Sequence, residues 1–347
     1  MQRRKAVVMG AGGLVAQRLQ QRLAHHPWFE LAAVVGSPRY VGQGLDKVPW
    51  GLPEDRPELP PLTVGDIADP ATAQALAREG VTVAFSALPA EEAKALEPMW
   101  SNAGITVFSN ASAFRRHPGV PLVIPEVNAD ALKAPLTHAC ATNCTLLPLV
   151  LPCAALEASF GIAAFEMRSE QGLSGGGFAY MNDALERGDV AAEIPGEAEK
   201  TEAEFRHVLD WGGEAALTCA RVMREDGHHV YVTATLKREA TVEQAVSCLK
   251  QWSEEHRFHH LPSSPHQPLM MKDKINVERD LYADGEGNPL HPDPAFDLKA
   301  GMAITVANLS CPTPFTVQFE AYSHNTLRGA AGGLVYLAEL AVSEELA

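Results

Sequence analysis

The sequence predicts an α/β fold in which a Rossmann-type dinucleotide-binding domain carries an inserted α+β domain. Three observations predict it. A short β-branched run at Lys5–Met9 ends in Gly10-Ala11-Gly12-Gly13 and leads into a segment of helical apolar spacing. Strands and helices then alternate as far as Ser109, the signature of a parallel sheet. Beyond Cys144 the pattern changes to longer strands of period two, which indicates an antiparallel or mixed sheet.

In chain order, the first strand and glycine turn are followed by a second strand at Phe29–Val35, a third at Val81–Leu88 and a fourth at Thr106–Ser109, with helical stretches at Pro70–Glu79 and Glu91–Ala103. The second half places strands at Phe165–Ser169, His229–Leu236 and Phe315–Tyr322. Helices are expected at Glu197–Leu209 and Val242–His256, and Pro262–Asp273 is a proline-rich connector. Pro148 and Pro152 are expected to interrupt the apolar helix that follows Cys144 and to bend it near Pro148. Asp284-Gly285-Glu286-Gly287-Asn288 has the composition of a hairpin turn rather than a calcium loop. The Ala/Leu-rich segment Asn325–Glu345 is spaced as a helix that returns to the first domain. The division is therefore residues 1–142 plus 325–347 for the nucleotide domain and 143–324 for the inserted one.

The 347-residue length suits two domains at about 150 residues each. The net charge of −15 repels nucleic acid and anionic lipid, which leaves a small molecule as the expected partner. An anionic substrate then needs a few well-placed Arg and Lys side chains. The basic N-terminus lacks the apolar stretch of a signal peptide, and no run approaches the about 18 apolar residues of a membrane span. Six cysteines in so long a chain do not form a disulfide framework, so the expected location is the cytoplasm, with reduced thiols.

Glycines between a strand and a helix let backbone N–H groups approach a pyrophosphate at the helix N-terminus. Gly10, Ala11, Gly12, Gly13, Leu14 and Val15 are the expected cofactor-binding stretch, although Val15 stands where the usual fingerprint has a third glycine. NAD binding normally uses a carboxylate at the end of the second strand. Here that strand ends in Gly36-Ser37-Pro38-Arg39, and the Ser37 hydroxyl and Arg39 guanidinium suit the 2′-phosphate of NADP. The other reading of this stretch is a solvated turn in which Arg39 touches nothing.

Cys144 precedes the apolar stretch Leu146–Leu156, and a thiol at a helix N-terminus has its pKa lowered toward the nucleophilic thiolate. Cys140, Cys153, Cys219, Cys248 and Cys311 are read as inert filler. Among thirteen histidines, His228 stands out at a turn leading into HVYVTATL, shortly after Arg221. His256, His259 and His260 have ligand-like spacing but are read as an exposed helix end, so no metal site is expected.

The pieces GAGGLVAQ (10–17), SALP (86–89), SNASAFR (109–115), IPEVN (124–128), NCT (143–145), QGLSGGG (171–177), PGEAEK (195–200), RVMREDGH (221–228) and SHNTLRGAAGG (323–333) together resemble the aspartate-β-semialdehyde dehydrogenases of the archaeal and fungal branch, over nearly the whole chain. The resemblance implies Cys144 as nucleophile, His228 as acid/base, and Gln171 as the group orienting a thioester, with Asn143 helping to position the acyl oxygen. It implies Arg221 for the substrate α-carboxylate, Glu197 for its ammonium, and Lys200 and Arg115 for the phosphate. Ser86, Ser174, Gly175 and Asn325 would line the NADP site. The implied reaction is reductive dephosphorylation of aspartyl-4-phosphate to the semialdehyde by a homodimer, with tetramers as a further possibility, paired through the sheet of the inserted domain.

The sequence departs from the family pattern at TNCTL for PNCST and at QGLSGGG for QAVSGAG. Met223 and His229 stand where a proline and a threonine flank the substrate site, and Ala307–Ser310 where an arginine-containing segment is common. Two alternatives follow. One is a CoA-linked acyl reductase of the malonyl-CoA reductase type, which the ammonium-binding Glu197 disfavours. The other is a non-catalytic NADP-binding paralogue, which has no need of Cys144, Gln171, Arg221 and His228 together.

Overall fold

The structure is a computed structural model and describes residues 3–285, 290 and 292–347. Two six-stranded sheets organise it. The first is built from β1 (Arg4–Met9), β2 (Phe29–Gly36), β3 (Gly65–Asp66), β4 (Val81–Ser86), β5 (Thr106–Ser109) and β6 (His138–Cys140), with α1 (Leu14–Leu23), α2 (Pro70–Arg78), α3 (Ala90–Asn102) and the short α4 (Pro125–Asn128). Its order is β3-β2-β1-β4-β5-β6 and every pair is parallel. That is the doubly wound order, in which the crevice opens beyond the strand C-termini where the order reverses, between β1 and β4.

After Cys144 the chain runs through α5 (Leu146–Phe160), β7 (Ile162–Gln171), α6 (Gly177–Arg187), α7 (Glu197–Leu209), β8 (Glu214–Arg221), β9 (His228–Leu236), α8 (Val242–Glu254), β10 (Leu269–Met271), β11 (Ile304–Thr313) and β12 (Thr316–Ser323). The order β10-β11-β12-β9-β7-β8 is mixed: β7–β8 and β10–β11 are parallel and the pairs between are antiparallel. The expected parallel and mixed sheets are both present. The strands β3, β6, β8, β10 and β11 and the helices α4 and α6 were not among the expected elements, and β7 is longer than expected at both ends.

Burial explains the packing. Residues Leu146 to Leu156 of α5 are buried without exception, as a helix apolar on all sides must be, and they fill the core beneath Phe165, Val230, Val232, Val317 and Phe319 of the second sheet. The expected interruption at Pro148 does not occur. Pro148 lies in the first turn of α5, where the amide it lacks would have had no helical partner, and the helix continues through Pro152. After β12 the chain returns through a π-turn at Leu327–Ala331 to α9 (Gly332–Ser343), whose Leu334, Leu337 and Leu340 pack with Phe29, Phe85 and Phe108 of the first sheet. The buried Glu339 carboxylate of α9 pairs with His26 at 2.8 Å and accepts from the Ser263 N–H and hydroxyl, which fixes the helix to that face.

Two smaller expectations change. His256 is buried rather than exposed, with its ring 3.7 Å from that of His259, because α8 ends before it and the chain turns inward. Of the expected hairpin turn, Glu286, Gly287 and Asn288 lie outside the described residues. Among the described residues no helix is long and apolar enough to cross a membrane.

Candidate active site

Strand register brings the chemistry together. Gln171 at the end of β7 stands opposite Arg221 of β8 on one side and His228 of β9 on the other, and His228 stands opposite Ser323 of β12. Residues directly opposite across a sheet share a face, so Arg221, Gln171 and His228 form one row at the sheet's end. That row faces the start of α5, where Cys144 Sγ lies 3.1 Å from His228 Nε2. A cleft of about 300 Å³ opens here, and Cys144, Gln171, Arg221, Glu197 and Lys200 line it together with Val15, Ser174, Gly175 and Asn325. Arg115 and Asn143 line it as well.

The loop carrying Cys144 is held by one face of α7, whose residues 197, 201 and 204 recur at helical spacing. Glu197 accepts from the Thr145 hydroxyl at 3.2 Å, Thr201 accepts from the Asn143 amide at 3.0 Å, and Glu204 accepts from the Asn143 backbone N–H at 2.7 Å. The Asn143 side-chain oxygen also accepts from the Leu146 N–H at 2.8 Å, closing the start of α5. The Asn143 amide is thus bonded at its nitrogen to α7 and at its oxygen to the start of α5, which fixes the loop that carries Cys144. Glycine is required on the other side: a Cβ on Gly329, in the π-turn, would lie 2.5 Å from that of Cys144. On Gly175 it would lie 2.8 Å from Arg221 Nη1.

Among the cations, Arg221 donates to the Gly172 carbonyl at 2.7 Å, and its buried Nε has no partner. Lys200 is exposed at the cleft mouth. Arg115 differs from expectation, because its two terminal nitrogens donate to Glu204 at 2.9 Å and to the Asn110 carbonyl at 2.7 Å. Asn110 is a cleft residue absent from the expected set; its side-chain oxygen and nitrogen are both buried without a partner. It was visible in SNASAFR, where only the arginine received a role.

The expected cofactor residues divide. Gly10, with φ of +112°, Ala11, Gly12 and Gly13 form the turn between β1 and α1, and no side chain caps the N-terminus of α1, which begins at Leu14. The ring of Tyr40 covers Gly12, where a Cβ would approach it to 2.8 Å. Ser37 and Arg39 are exposed just beyond β2, with Arg39 5.1 Å from the Tyr40 ring centroid. Ser86 is buried at the end of β4, away from the cleft lining. Ser174 lines the cleft, but its hydroxyl donates to Asp226 at 2.6 Å and accepts from Asn325 at 2.8 Å.

The electrostatics reverse one expectation. Crowding of protein around the sulfur pushes the Cys144 thiol up to about 12, with Glu197 adding to the rise and Arg115 and Arg221 opposing it. Burial pushes the His228 imidazole down to about 3, and the Arg221 and Arg224 charges add to that fall. The helix N-terminus does not outweigh the loss of solvent, and the resting pair is neutral thiol against neutral imidazole. The thiolate fraction of such a group rises with pH throughout the neutral range. Alkylation of Cys144 in the free protein should therefore accelerate continuously from about pH 6 to about pH 9. A rate that is flat over that range, as a preformed thiolate gives, would overturn the neutral pairing.

Three of the departures from the family pattern, at Met223, His229 and Asn308, lie off this cleft. His229 points to the opposite face of the sheet, 3.1 Å from Glu320 and stacked on Tyr231 at 4.4 Å. Asn308 lies on that same outer face, at an irregularity in the β11–β12 pairing, and Met223 is 46% exposed and outside the cleft lining.

Residues 5–134 match the family described as semialdehyde dehydrogenase, NAD binding domain. The aspartate-semialdehyde dehydrogenase of Archaeoglobus fulgidus is 31% identical, with 98% of each chain covered, and that of Aspergillus fumigatus is 30% identical, with 98% of this chain and 97% of that one covered. The crystal structure of aspartate semialdehyde dehydrogenase with NADP from Candida albicans superposes at a TM-score of 0.80 and 26% identity over the whole of both chains. With its glycine turn, its cysteine–histidine pair and this full-length similarity, the chain belongs to the aspartate-semialdehyde dehydrogenase family.

Proposed function

We propose that this protein catalyses the reversible, NADPH-dependent reductive dephosphorylation of L-aspartyl-4-phosphate to L-aspartate-4-semialdehyde, through a thioester on Cys144. The observation that carries the reading is the 3.1 Å contact between Cys144 Sγ and His228 Nε2 in the cleft that Gln171 and Arg221 also line. The residues present suit NADP: the uncapped start of α1 leaves its first N–H groups to face phosphate, and Ser37 and Arg39 stand where an NAD site has a carboxylate. The nucleotide supplies the hydride. Every other role falls to the chain itself.

Substrate entry is an electrostatic problem in a protein of net charge −15. Arg221 offers a planar fork to the α-carboxylate, Glu197 faces the ammonium, and Lys200 with Asn110 receives the phosphate, beside Arg115. His228 takes the thiol proton as sulfur attacks the acyl carbon, so the charged pair forms only when an acceptor for the sulfur's electrons is present. Phosphate departs as the thioester forms. Gln171 holds the acyl group, and after reduction His228 shuttles the proton needed when the thiohemiacetal collapses to aldehyde and thiol. With Met223, His229 and Asn308 lying off the cleft, the aspartyl substrate is preferred over other acyl groups.

Residues 1–142 with 325–347 are assigned to the nucleotide half and 143–324 to the catalytic half, with the protein acting in the cytoplasm. Two copies are assigned to pair through the outer face of the second sheet. Arg168, Thr218, Tyr231, Thr233, Gln318 and Glu320 line a shallow depression of about 510 Å³ there. Sedimentation should give twice the mass of one chain, or four times if dimers pair. A monomer at micromolar concentration would remove this assignment.

The activity is tested by mixing protein, NADP and aspartate semialdehyde and following absorbance of NADPH. Formation should require inorganic phosphate. A requirement for CoA instead would replace the reading with a CoA-linked reductase, and no reaction with either would replace it with a binding protein. Cys144→Ser should lower turnover by about a thousandfold or more while leaving NADP affinity within about twofold, since the hydroxyl is a far weaker nucleophile at neutral pH.

A further inference from the structure

The hydroxyl of Ser174 and the amide of Asn325 were expected to meet a cofactor, yet both are engaged by the turn that delivers His228. We propose that Asp226 is a positioning residue for His228, anchored from the first half of the chain by Arg18; this rests on the reading of His228 as the proton shuttle given above.

Four side-chain and backbone groups form a closed ring around the turn. Ser174 Oγ donates to Asp226 Oδ1 at 2.6 Å, Asn325 Nδ2 donates to Ser174 Oγ at 2.8 Å, and the Gly227 N–H donates to Asn325 Oδ1 at 2.7 Å. The backbone on both sides is tied as well, through Leu173 N–H to the Arg224 carbonyl at 2.7 Å and Ser174 N–H to the Glu225 carbonyl at 2.9 Å. Gly227, the residue between Asp226 and His228, has φ of +94°, and a Cβ there would meet the Tyr322 hydroxyl at 1.9 Å. The turn therefore needs glycine at 227, and the Asp226 carboxylate is one of the acceptors that hold it.

The second carboxylate oxygen faces the other half of the protein. Arg18 Nη2, from α1, lies 3.9 Å from Asp226 Oδ2, and the Arg18 side chain is 1% exposed. Arg18 is itself fixed, donating to Gln21 Oε1 at 2.9 Å and to Glu54 Oε2 at 2.6 Å, while Tyr282 donates to Glu54 Oε1 at 2.9 Å. A buried guanidinium bonded to Gln21 and Glu54 makes a stiff anchor. The helix that begins at the glycine turn is thus connected, through one side chain, to the turn that aims the imidazole at Cys144. Asp226 is not among the residues that line the cleft; its carboxylate meets the lining at Ser174, and its backbone leads through Gly227 directly to His228.

The test compares the full-length wild-type protein with Asp226→Ala in steady-state kinetics and in alkylation of Cys144 by iodoacetamide. Asp226→Ala should lower kcat by about tenfold or more while KM for semialdehyde and for NADP stays within about twofold, because Asp226 itself does not line the cleft. The alkylation rate of Cys144 should fall with kcat, as the imidazole no longer stands 3.1 Å from the sulfur. A kcat within about twofold of wild type, or KM values that rise as far as kcat falls, would overturn the proposal. If Asp226→Ala does not fold, Asp226→Ser, which keeps a small polar side chain but loses the carboxylate, carries the same expectation. Should the wild-type protein lack the phosphate-dependent activity, the function reading fails alone, and unequal alkylation rates still support the positioning role while equal rates overturn it.

Discussion

The site depends on one constraint, the register of four strand ends. Arg221, Gln171, His228 and Ser323 are consecutive cross-strand neighbours along the end of the second sheet, and a slip of one residue in any pairing would turn that residue to the outer face. His229 shows the consequence directly: one position along β9 it faces Glu320 and Tyr231 on the far side of the sheet. The buried apolar residues further along β7, β9 and β12 fix the register against α5, so packing of the core and aim of the polar row are the same fact.

Around that row the protein places glycine wherever backbone must come close. Gly329 leaves room for Cys144, Gly175 for Arg221, and Gly227 for Tyr322. These contacts come from three separate stretches, and one of them lies in the C-terminal π-turn, a helix irregularity of the kind that recurs at functional sites. The return of the C-terminal segment therefore does two things at once. It covers one face of the first sheet through α9, and it closes the cleft around the nucleophile.

The electrostatic arrangement follows from burial. A thiol and an imidazole enclosed by protein are both most stable uncharged, and the pull of Arg115 and Arg221 on the sulfur does not offset its loss of solvent. Pairing of Arg115 with Glu204 has the same character, since an unpaired guanidinium in that position would be costly to bury. The acidic chain still carries cations in the cleft, where Arg221, Lys200 and the Glu204-paired Arg115 line it.

Much of this was legible in the chain. Strand–glycine–helix at residues 5–19, alternation of elements and period-two strands after Cys144 determined two sheets of different kinds, because local periodicity is a property of sequence alone. The residue types Cys144, Gln171, Arg221 and His228 were equally visible as motifs. What the chain could not reveal is partnership: that Asn143 holds its own loop, that Arg115 is already paired, that Ser174 and Asn325 grip Asp226, and that His229 and Asn308 lie off the cleft. Each of those outcomes is set by residues tens to hundreds of positions away, and burial, which decided the protonation of Cys144 against the pull of its helix, exists only once those distant segments have closed around it.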